Sequence, residues 1–277
     1  MTLVDVQAPA LAHPTTTVAV SDVVGDAAPA QDTTADPTAL GNRLPAWVAT
    51  GVVIATLVAV NVVQHLVWQA WWLGPVVAGA LLGFARWNGL TWHELGLHRH
   101  RHRSGLRWGL GVIAVVAVVY LIGVLLPVSR TAFLDARYHF GVGSALFAAF
   151  VTIPVTTILL EEVAFRSVLW GVLSRHATTW RVLLASSALF GLWHILPSRH
   201  VATANDGIGD VLQGVGVAGA GAAALVIVGI VLFTTIGGVV AGELRRRSGS
   251  VIASAGMHWA TNSLGVLFGV VAWQLAG

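Results

Sequence analysis

Phe147-Ala-Ala-Phe-Val-Thr-Ile-Pro-Val-Thr-Thr-Ile-Leu-Leu160 runs without a charge into Glu161-Glu162-Val-Ala-Phe-Arg166. An uncharged apolar run of this kind is typical of a membrane-spanning helix, which needs about 20 mostly apolar residues. A carboxylate at membrane depth costs roughly 2.5–3.5 kcal/mol on insertion scales, and two adjacent carboxylates also repel each other. The stretch therefore predicts a membrane helix that carries a functional site.

The composition of the whole chain also favours a membrane protein. Of its 277 residues, 56% are hydrophobic and only 10% are charged, whereas about 25% are charged in a soluble domain. There is no cysteine, which excludes disulfides, iron–sulfur clusters and thiol catalysis. All fifteen basic residues are Arg, and most lie in short loops between apolar segments, where they set membrane topology. We therefore expect the lipid bilayer, and no nucleic acid, as a partner.

The apolar segments predict an all-α fold, a polytopic membrane helix bundle with about seven to eight transmembrane helices. The spans are expected at about 45–66, 70–86, 107–127, 143–161, 180–197, 212–242 and 251–275. A separate helix at about 162–176 is expected to lie partly in the membrane interface. The sixth span is long, and a break near Gly237-Gly238 would divide it into two.

Three regions follow along the chain. Residues 1–42 contain five Asp and no Arg and are predicted to be a disordered acidic tail. Residues 43–142 hold the N-terminal transmembrane helices and an Arg/His-rich cytoplasmic loop, and residues 143–275 hold the polar clusters of a catalytic core. Most Arg fall on one side of a seven-span arrangement, so the positive-inside rule predicts a multi-pass protein of the cell membrane with a cytoplasmic N-terminus.

The first polar cluster joins two carboxylates to one guanidinium. In an α-helix Glu162 and Arg166 are four residues apart and can pair. Glu161 is turned by about 100° from its neighbour and is left for chemistry, for which burial and a like charge suit it as a general base. A buried ion pair that only fixed the helix register would need one glutamate, not two.

Two further clusters, Phe190-Gly-Leu-Trp-His194 and His258-Trp-Ala-Thr-Asn262, supply two imidazoles and an amide. His258 and Asn262 are four residues apart and point the same way from an α-helix. A lone His in a span is more often a hydrogen-bonded packing residue than a catalyst. Together, however, the clusters supply the base, the second orienting group and the oxyanion donors that activation of water beside a carbonyl needs.

Other signatures are weaker. In Trp92-His93-Glu94…His98 the two His are five residues apart, whereas the HExxH zinc pattern needs four, so an Arg-rich interfacial loop is expected. Gly207-Ile-Gly-Asp210 matches the Gly-x-Gly-Asp of presenilin-like aspartyl proteases. That chemistry needs a second intramembrane Asp, and every other Asp falls in the tail or in a predicted loop. The small residues of 207–224 indicate close helix packing.

Glu161-Glu162-x-x-x-Arg166, Phe190-x-x-x-His194 and His258-x-x-x-Asn262 resemble, in order, the three motifs of the CPBP family. This family contains CAAX proteases and bacteriocin-processing enzymes and is also called the Rce1-like or abortive-infection family. The resemblance covers about 143–275. Upstream, Glu94-Leu-Gly-Leu97 resembles a segment that often precedes the core of these proteins.

The resemblance implies an intramembrane endopeptidase of the CPBP type. Its catalytic residues would be Glu161, His194, His258 and Asn262. Its supporting residues would be Glu162, Arg166 and Phe190. The first two catalytic residues would activate the attacking water, and the last two would stabilise the oxyanion.

The sequence leaves the need for a metal open. Members of the family are often labelled metalloproteases, and Glu161, His194 and His258 could ligate Zn²⁺ with one position left for water. The absence of a ligand pair four residues apart favours a reaction without a metal.

The expected substrate is a membrane-associated peptide or protein. Cleavage after a prenylated cysteine is a eukaryotic theme, whereas the Ala/Val/Arg-rich, Lys-free composition is typical of a bacterial chain. Two alternatives remain beside the protease. A non-catalytic scaffold, such as an immunity or regulatory protein, could reuse the fold. The intact set of polar residues argues against it, because a scaffold could lose one catalytic residue freely. A solute or proton carrier is less favoured because the two halves show no internal repeat.

Overall fold

The structure, a computed structural model, describes residues 43–135, 139, 141–201, 214, 216 and 219–277. These residues fold almost entirely as helices, so the predicted all-α class is confirmed. The predicted tail, 1–42, lies outside the described residues, as does the segment Gly207–Asp210.

Seven long helical segments make up the described part of the chain. They are α1 (Ala46–Val62, extended by a π-helical turn at Val63–Val67), α2 (Leu73–Trp87), α3 (His102–Leu125), α4 (Val142–Ser174), α5 (Thr179–Trp193), α6 (Gly219–Ser248) and α7 (251–276). Short helical turns lie at Arg99–Arg101, Pro127–Arg130, Thr131–Phe133 and Pro197–His200.

Four helices in the described ranges are long and apolar enough to cross a membrane. They are Ala46–Val67, Arg99–Leu125, Val142–Ser174 and Gly219–Ser248. The outer faces of α3 and α6 expose large apolar side chains such as Ile122 and Phe233, which suits contact with lipid tails. These features support a multi-pass membrane protein. They do not confirm the predicted number of seven or eight spans.

The predicted boundary after the glutamates was wrong. The span at 143–161 and the separate helix at 162–176 form one continuous helix of 33 residues, α4. Glu161, Glu162 and Arg166 do not end this helix, because all three are buried against neighbouring helices. Their charges face partners inside the protein rather than lipid or the membrane interface.

The sixth span is not divided at Gly237-Gly238, the alternative that the sequence left open, because α6 continues through these residues. Gly238 instead lets α6 approach α5, since a Cβ at this position would lie 3.0 Å from the Cα of Ser187. A similar close approach joins α7 to α3, where a Cβ on Gly256 would lie 2.9 Å from the Cα of Gly109. Small residues therefore serve helix packing here, as they commonly do in membranes.

The apolar core that surrounds the glutamates is built by α1, α2, α4 and α5. Its buried members include Val53, Leu57, Leu81, Phe165 and Val168. Helices α1 and α2 of the N-terminal region thus pack against the part of α4 that carries the carboxylates.

Several helices of the described part contain π-helical segments. These lie at Val63–Val67, Ala148–Thr152, Pro154–Ile158, Glu162–Leu169 and Ala260–Leu264. A π turn accommodates one extra residue and changes the direction of the side chains that follow, and such turns are frequent at functional sites.

Candidate active site

The three polar clusters meet beside one cavity inside the helix bundle. Glu161 lies on α4, His194 lies in the turn that follows α5, and His258 lies on α7. The Oε2 atom of Glu161 is 4.0 Å from Nε2 of His194 and 3.6 Å from Nε2 of His258. One carboxylate oxygen from α4 therefore faces the ring nitrogens of both histidines.

Local hydrogen bonds orient the two imidazoles. Nδ1 of His194 lies 2.8 Å from the carbonyl oxygen of Phe190, and because a carbonyl can only accept, Nδ1 must carry the hydrogen. Nδ1 of His258 lies 3.0 Å from Oε1 of Glu162, which is also an acceptor when ionised. In both rings Nδ1 is held by a neighbour and Nε2 is presented to Glu161.

Glu162 and Arg166 form the ion pair that their spacing predicts. Nη1 of Arg166 is 3.7 Å from Oε1 of Glu162, and both side chains are almost fully buried. The guanidinium carbon also lies 3.8 Å from the ring centroid of Phe190, a cation–π contact that compensates part of the desolvation. The same Phe190 ring packs edge-on against His194 and His258. One aromatic ring thus contacts the charged pair and both imidazoles.

Asn262 occupies a different environment from His258. The side chain of Asn262 is exposed and lines the cavity, where its Oδ1 accepts a 3.4 Å hydrogen bond from Thr261. His258 is buried, with 8% of its surface exposed. Asn262 lies within the π-helical segment Ala260–Leu264, which begins two residues after His258 and replaces the α-helical register assumed from the sequence.

The cavity has a volume of about 810 Å³, within the range of ligand-binding clefts. Glu161 and His194 belong to its wall, as does Asn262. Polar groups from other elements, including Tyr120 and Thr157, share that wall. Glu161 and one imidazole therefore border the cavity, although Oε2 of Glu161 is itself a buried atom.

Two residues that contact the centre were missed from the sequence. The indole N–H of Trp193 donates a 2.9 Å hydrogen bond to Oε1 of Glu161. Asn61 on α1 in turn donates from Nδ2 to the carbonyl oxygen of Trp193 at 2.9 Å. The sequence offered one signal for each residue. Trp193 lies inside the Phe190–His194 motif, and Asn61 is an amide within an apolar segment.

The segment Glu94–Leu97 anchors the N-terminal region to the core. Glu94 and Thr91 cap each other's backbone N–H groups, and Arg175 donates two hydrogen bonds, of 2.8 and 3.0 Å, to the Glu94 carboxylate. Burial alone would raise the pKa of Glu94, but the hydrogen bonds from Arg175 and Thr91 lower it below its ordinary value of 4.5. This segment is therefore tied down rather than a freely solvated loop.

The described residues do not fit a metal centre. They contain no group of three His, Cys, Asp or Glu side chains arranged to hold an ion. This holds for the candidate ligands Glu161, His194 and His258 and for the segment that carries His93 and His98. The label of metalloprotease, which the sequence left open, is therefore not supported.

The fold and the site define a polytopic membrane protein with a buried glutamate–histidine centre. Residues 143–264 match the family model of the Rce1-like type II CAAX prenyl endopeptidases. The expected resemblance to the CPBP family is thereby confirmed over this part of the chain. The match implies a protease. Neither a curated protein nor a solved structure matches the chain.

Proposed function

We propose that the chain is an intramembrane endopeptidase that hydrolyses a peptide bond of a membrane-associated peptide or protein. The observation that carries this proposal is the convergence of Glu161 Oε2 on the Nε2 atoms of His194 and His258. The bacterial plasma membrane, with the N-terminus in the cytoplasm, is the location that the arginine distribution favours.

Activation of water is the role that this geometry supports best for Glu161. The distances of 4.0 and 3.6 Å to the two imidazoles are too long for direct hydrogen bonds. One water molecule held between the carboxylate and His194 would satisfy both groups. Oε2 of Glu161 has no hydrogen-bond partner within the described residues, so it is available to accept a proton from that water.

The reaction then follows the order of general base and general acid catalysis. The water oxygen attacks the carbonyl carbon of the scissile peptide while Glu161, with His194, takes a proton. Asn262 donates through its amide to the oxyanion of the tetrahedral intermediate, and His258 does so in its doubly protonated form, in which Nε2 also carries a hydrogen. The C–N bond breaks as the proton passes to the leaving amine. Glu162 holds the ring of His258 through Nδ1, Arg166 pairs with Glu162, and Phe190 packs against Arg166.

Glu161→Gln tests this proposal because it removes the base and keeps the shape of the side chain. We expect peptide cleavage in reconstituted membranes to fall by about 10²–10⁴-fold, with an unchanged helical circular dichroism spectrum. The matched control is Glu243→Gln, a carboxylate at the end of α6 that pairs with Arg246 and Arg247; this variant is expected to cleave normally.

The result that would refute the protease is an unchanged cleavage rate in the Glu161→Gln protein. A non-catalytic scaffold, in the role of an immunity or regulatory protein, makes the opposite prediction. For such a scaffold, a Glu161→Ala protein would retain full biological activity in a complementation experiment.

A further inference from the structure

A second imidazole lies on the wall of the same cavity, beside that of His194. His65 belongs to the π-helical turn Val63–Val67 at the end of α1 and lines the cavity together with Glu161 and His194. This residue lies outside 143–264, the part of the chain that matches the family. Its role is therefore not one that the three family motifs describe.

His65 is held in the same way as His194. Nδ1 of His65 lies 2.9 Å from the carbonyl oxygen of Asn61, four residues earlier, just as Nδ1 of His194 bonds to the carbonyl of Phe190. The carbonyl can only accept, so Nδ1 of His65 carries the hydrogen in the neutral ring. Its Nε2 atom is then a hydrogen-bond acceptor.

The residue that orients His65 is hydrogen-bonded to the backbone next to His194. Asn61, whose carbonyl holds His65, donates from its side chain to the carbonyl of Trp193, next to His194. On the other side, the guanidinium of Arg199 donates a 2.8 Å hydrogen bond to the carbonyl oxygen of His65 itself. Two links thus fix the π turn of α1 to the chain on both sides of His194.

The neighbours of His65 on the cavity wall are also hydrogen-bonding groups. Gln64 precedes it in the same π turn, and Gln69 follows shortly after. Each amide both donates and accepts, and His65 adds an acceptor at Nε2. An extended peptide presents alternating N–H donors and C=O acceptors. This part of the wall therefore offers partners to a peptide backbone, and apolar side chains such as Trp71 and Phe133 lie beside them.

We propose that His65 is a substrate-binding residue that accepts a hydrogen bond at Nε2 from a backbone N–H of the bound peptide. The inference rests on the proposed protease function and adds a residue of α1 to its binding site. His65 acts on the position of the peptide and not on the water, because the imidazoles that face Glu161 belong to His194 and His258.

Binding to a protein that cannot turn over tests the proposal apart from catalysis. The probe is a fluorescein-labelled, prenylated CAAX peptide, which is the substrate class in the name of the matched family, and Glu161→Gln protein in nanodiscs supplies the site. Fluorescence anisotropy measures Kd. His65→Phe is expected to raise Kd by about two- to ten-fold, as for the loss of one hydrogen bond. His65→Gln keeps an acceptor and should stay near the parent value.

Two controls separate a direct contact from a general structural effect. His100→Phe changes an exposed histidine outside the cavity and should leave Kd unchanged. A series of peptides, each N-methylated at one backbone nitrogen, removes one N–H donor at a time. At one position, methylation should weaken binding to the parent protein but not to the His65→Phe protein, an effect that a loosened helix would not produce.

An unchanged Kd in His65→Phe, or methylation effects that are equal in both proteins at every position, would overturn the inference. Failure of both this probe and the same peptide without the prenyl group to bind the Glu161→Gln protein would also overturn it, since the inference requires a peptide in this cavity. If the probe binds through His65 but protein with an intact Glu161 cleaves no peptide, the binding role stands and the protease function fails.

Discussion

Gly96→Ala should destabilise the protein strongly, because the added Cβ would meet the buried guanidinium of Arg245. Gly96 has φ +70°, a left-handed conformation that costs an L-residue about 1–2 kcal/mol. A Cβ there would also overlap the side chain of Arg245. That guanidinium donates to the carbonyl oxygens of Arg166 at 3.2 Å and Glu94 at 3.0 Å, so it gives way only by losing a hydrogen bond.

The two effects add to a measurable cost. Hydrogen bonds from a charged group contribute about 1.5–3 kcal/mol each, so the loss of one beside the backbone strain gives a total of about 2.5–5 kcal/mol. Gly249→Ala is the matched control, because Gly249 also has φ +70° but its nearest atoms belong to the exposed and flexible side chain of Arg101. Its expected cost is the backbone strain alone, about 1–2 kcal/mol.

The assay is reversible unfolding in mixed micelles of mild detergent and dodecyl sulfate, followed by tryptophan fluorescence. It compares the free energies of unfolding of Gly96→Ala, Gly249→Ala and the parent protein. An equal loss of stability in the two variants would refute the argument, because it would show that Arg245 yields without cost.

Two further predictions concern the centre and its anchor. Trp193→Phe removes the indole donor to Oε1 of Glu161 and should lower the cleavage rate by about 10–100-fold, the range for a hydrogen bond to a charged group; Trp180→Phe, which changes a side chain that is 70% exposed, is the control, and equal rates in the two variants would contradict the role. The pKa of Glu94 is lowered in the folded protein, chiefly by Arg175 once burial is overcome, so its contribution to stability is complete above the ordinary value of 4.5 and is lost as the pH falls through the lowered value. The difference in unfolding free energy between the parent protein and Glu94→Gln should therefore shrink as the pH falls from 7 towards 3, and a constant difference would show that the carboxylate does not titrate in this way.

Hydropathy predicted where the apolar helices lie but not where they end. The run 147–160 correctly indicates a membrane helix, and the chain is all-α as expected. A scale that counts Glu161, Glu162 and Arg166 as polar ends the helix at these residues, whereas α4 continues to Ser174. Hydropathy has no way to represent a charge whose partner lies on another helix, and here the partners include His258 on α7.

Helical spacing predicted contacts within one helix better than contacts between helices. The pairing of Glu162 with Arg166 follows from their separation of four residues. The sequence left Glu162 as a partner of Arg166 alone, but the same oxygen also accepts from Nδ1 of His258. Interhelical contacts such as this one, and the bond from Trp193 to Glu161, depend on rotations of helices that no local pattern specifies.

The π-helical segments explain why α-helical geometry was an incomplete guide to the cavity. Val63–Val67 carries His65, Pro154–Ile158 carries Thr157, and Ala260–Leu264 carries Asn262, and all three of these side chains line the cavity. A π turn is rare and less favourable than the α-helix it interrupts. Several π turns around one cavity suggest that these turns are kept because they direct side chains into the cavity, not because they stabilise the helices.

The geometry of the centre depends on the N-terminal helices as well as on the family segment. Asn61 holds the backbone of Trp193, whose indole holds Glu161. Arg245, which bonds to the carbonyl of Arg166 on α4, is itself positioned by the carbonyl of Glu94. The first chain of contacts ends at the carboxylate of Glu161, and the second ends at the backbone carbonyl of Arg166. Because both chains of contacts start before residue 143, the geometry around Glu161 and Arg166 depends on the whole helical unit and not on residues 143–264 alone.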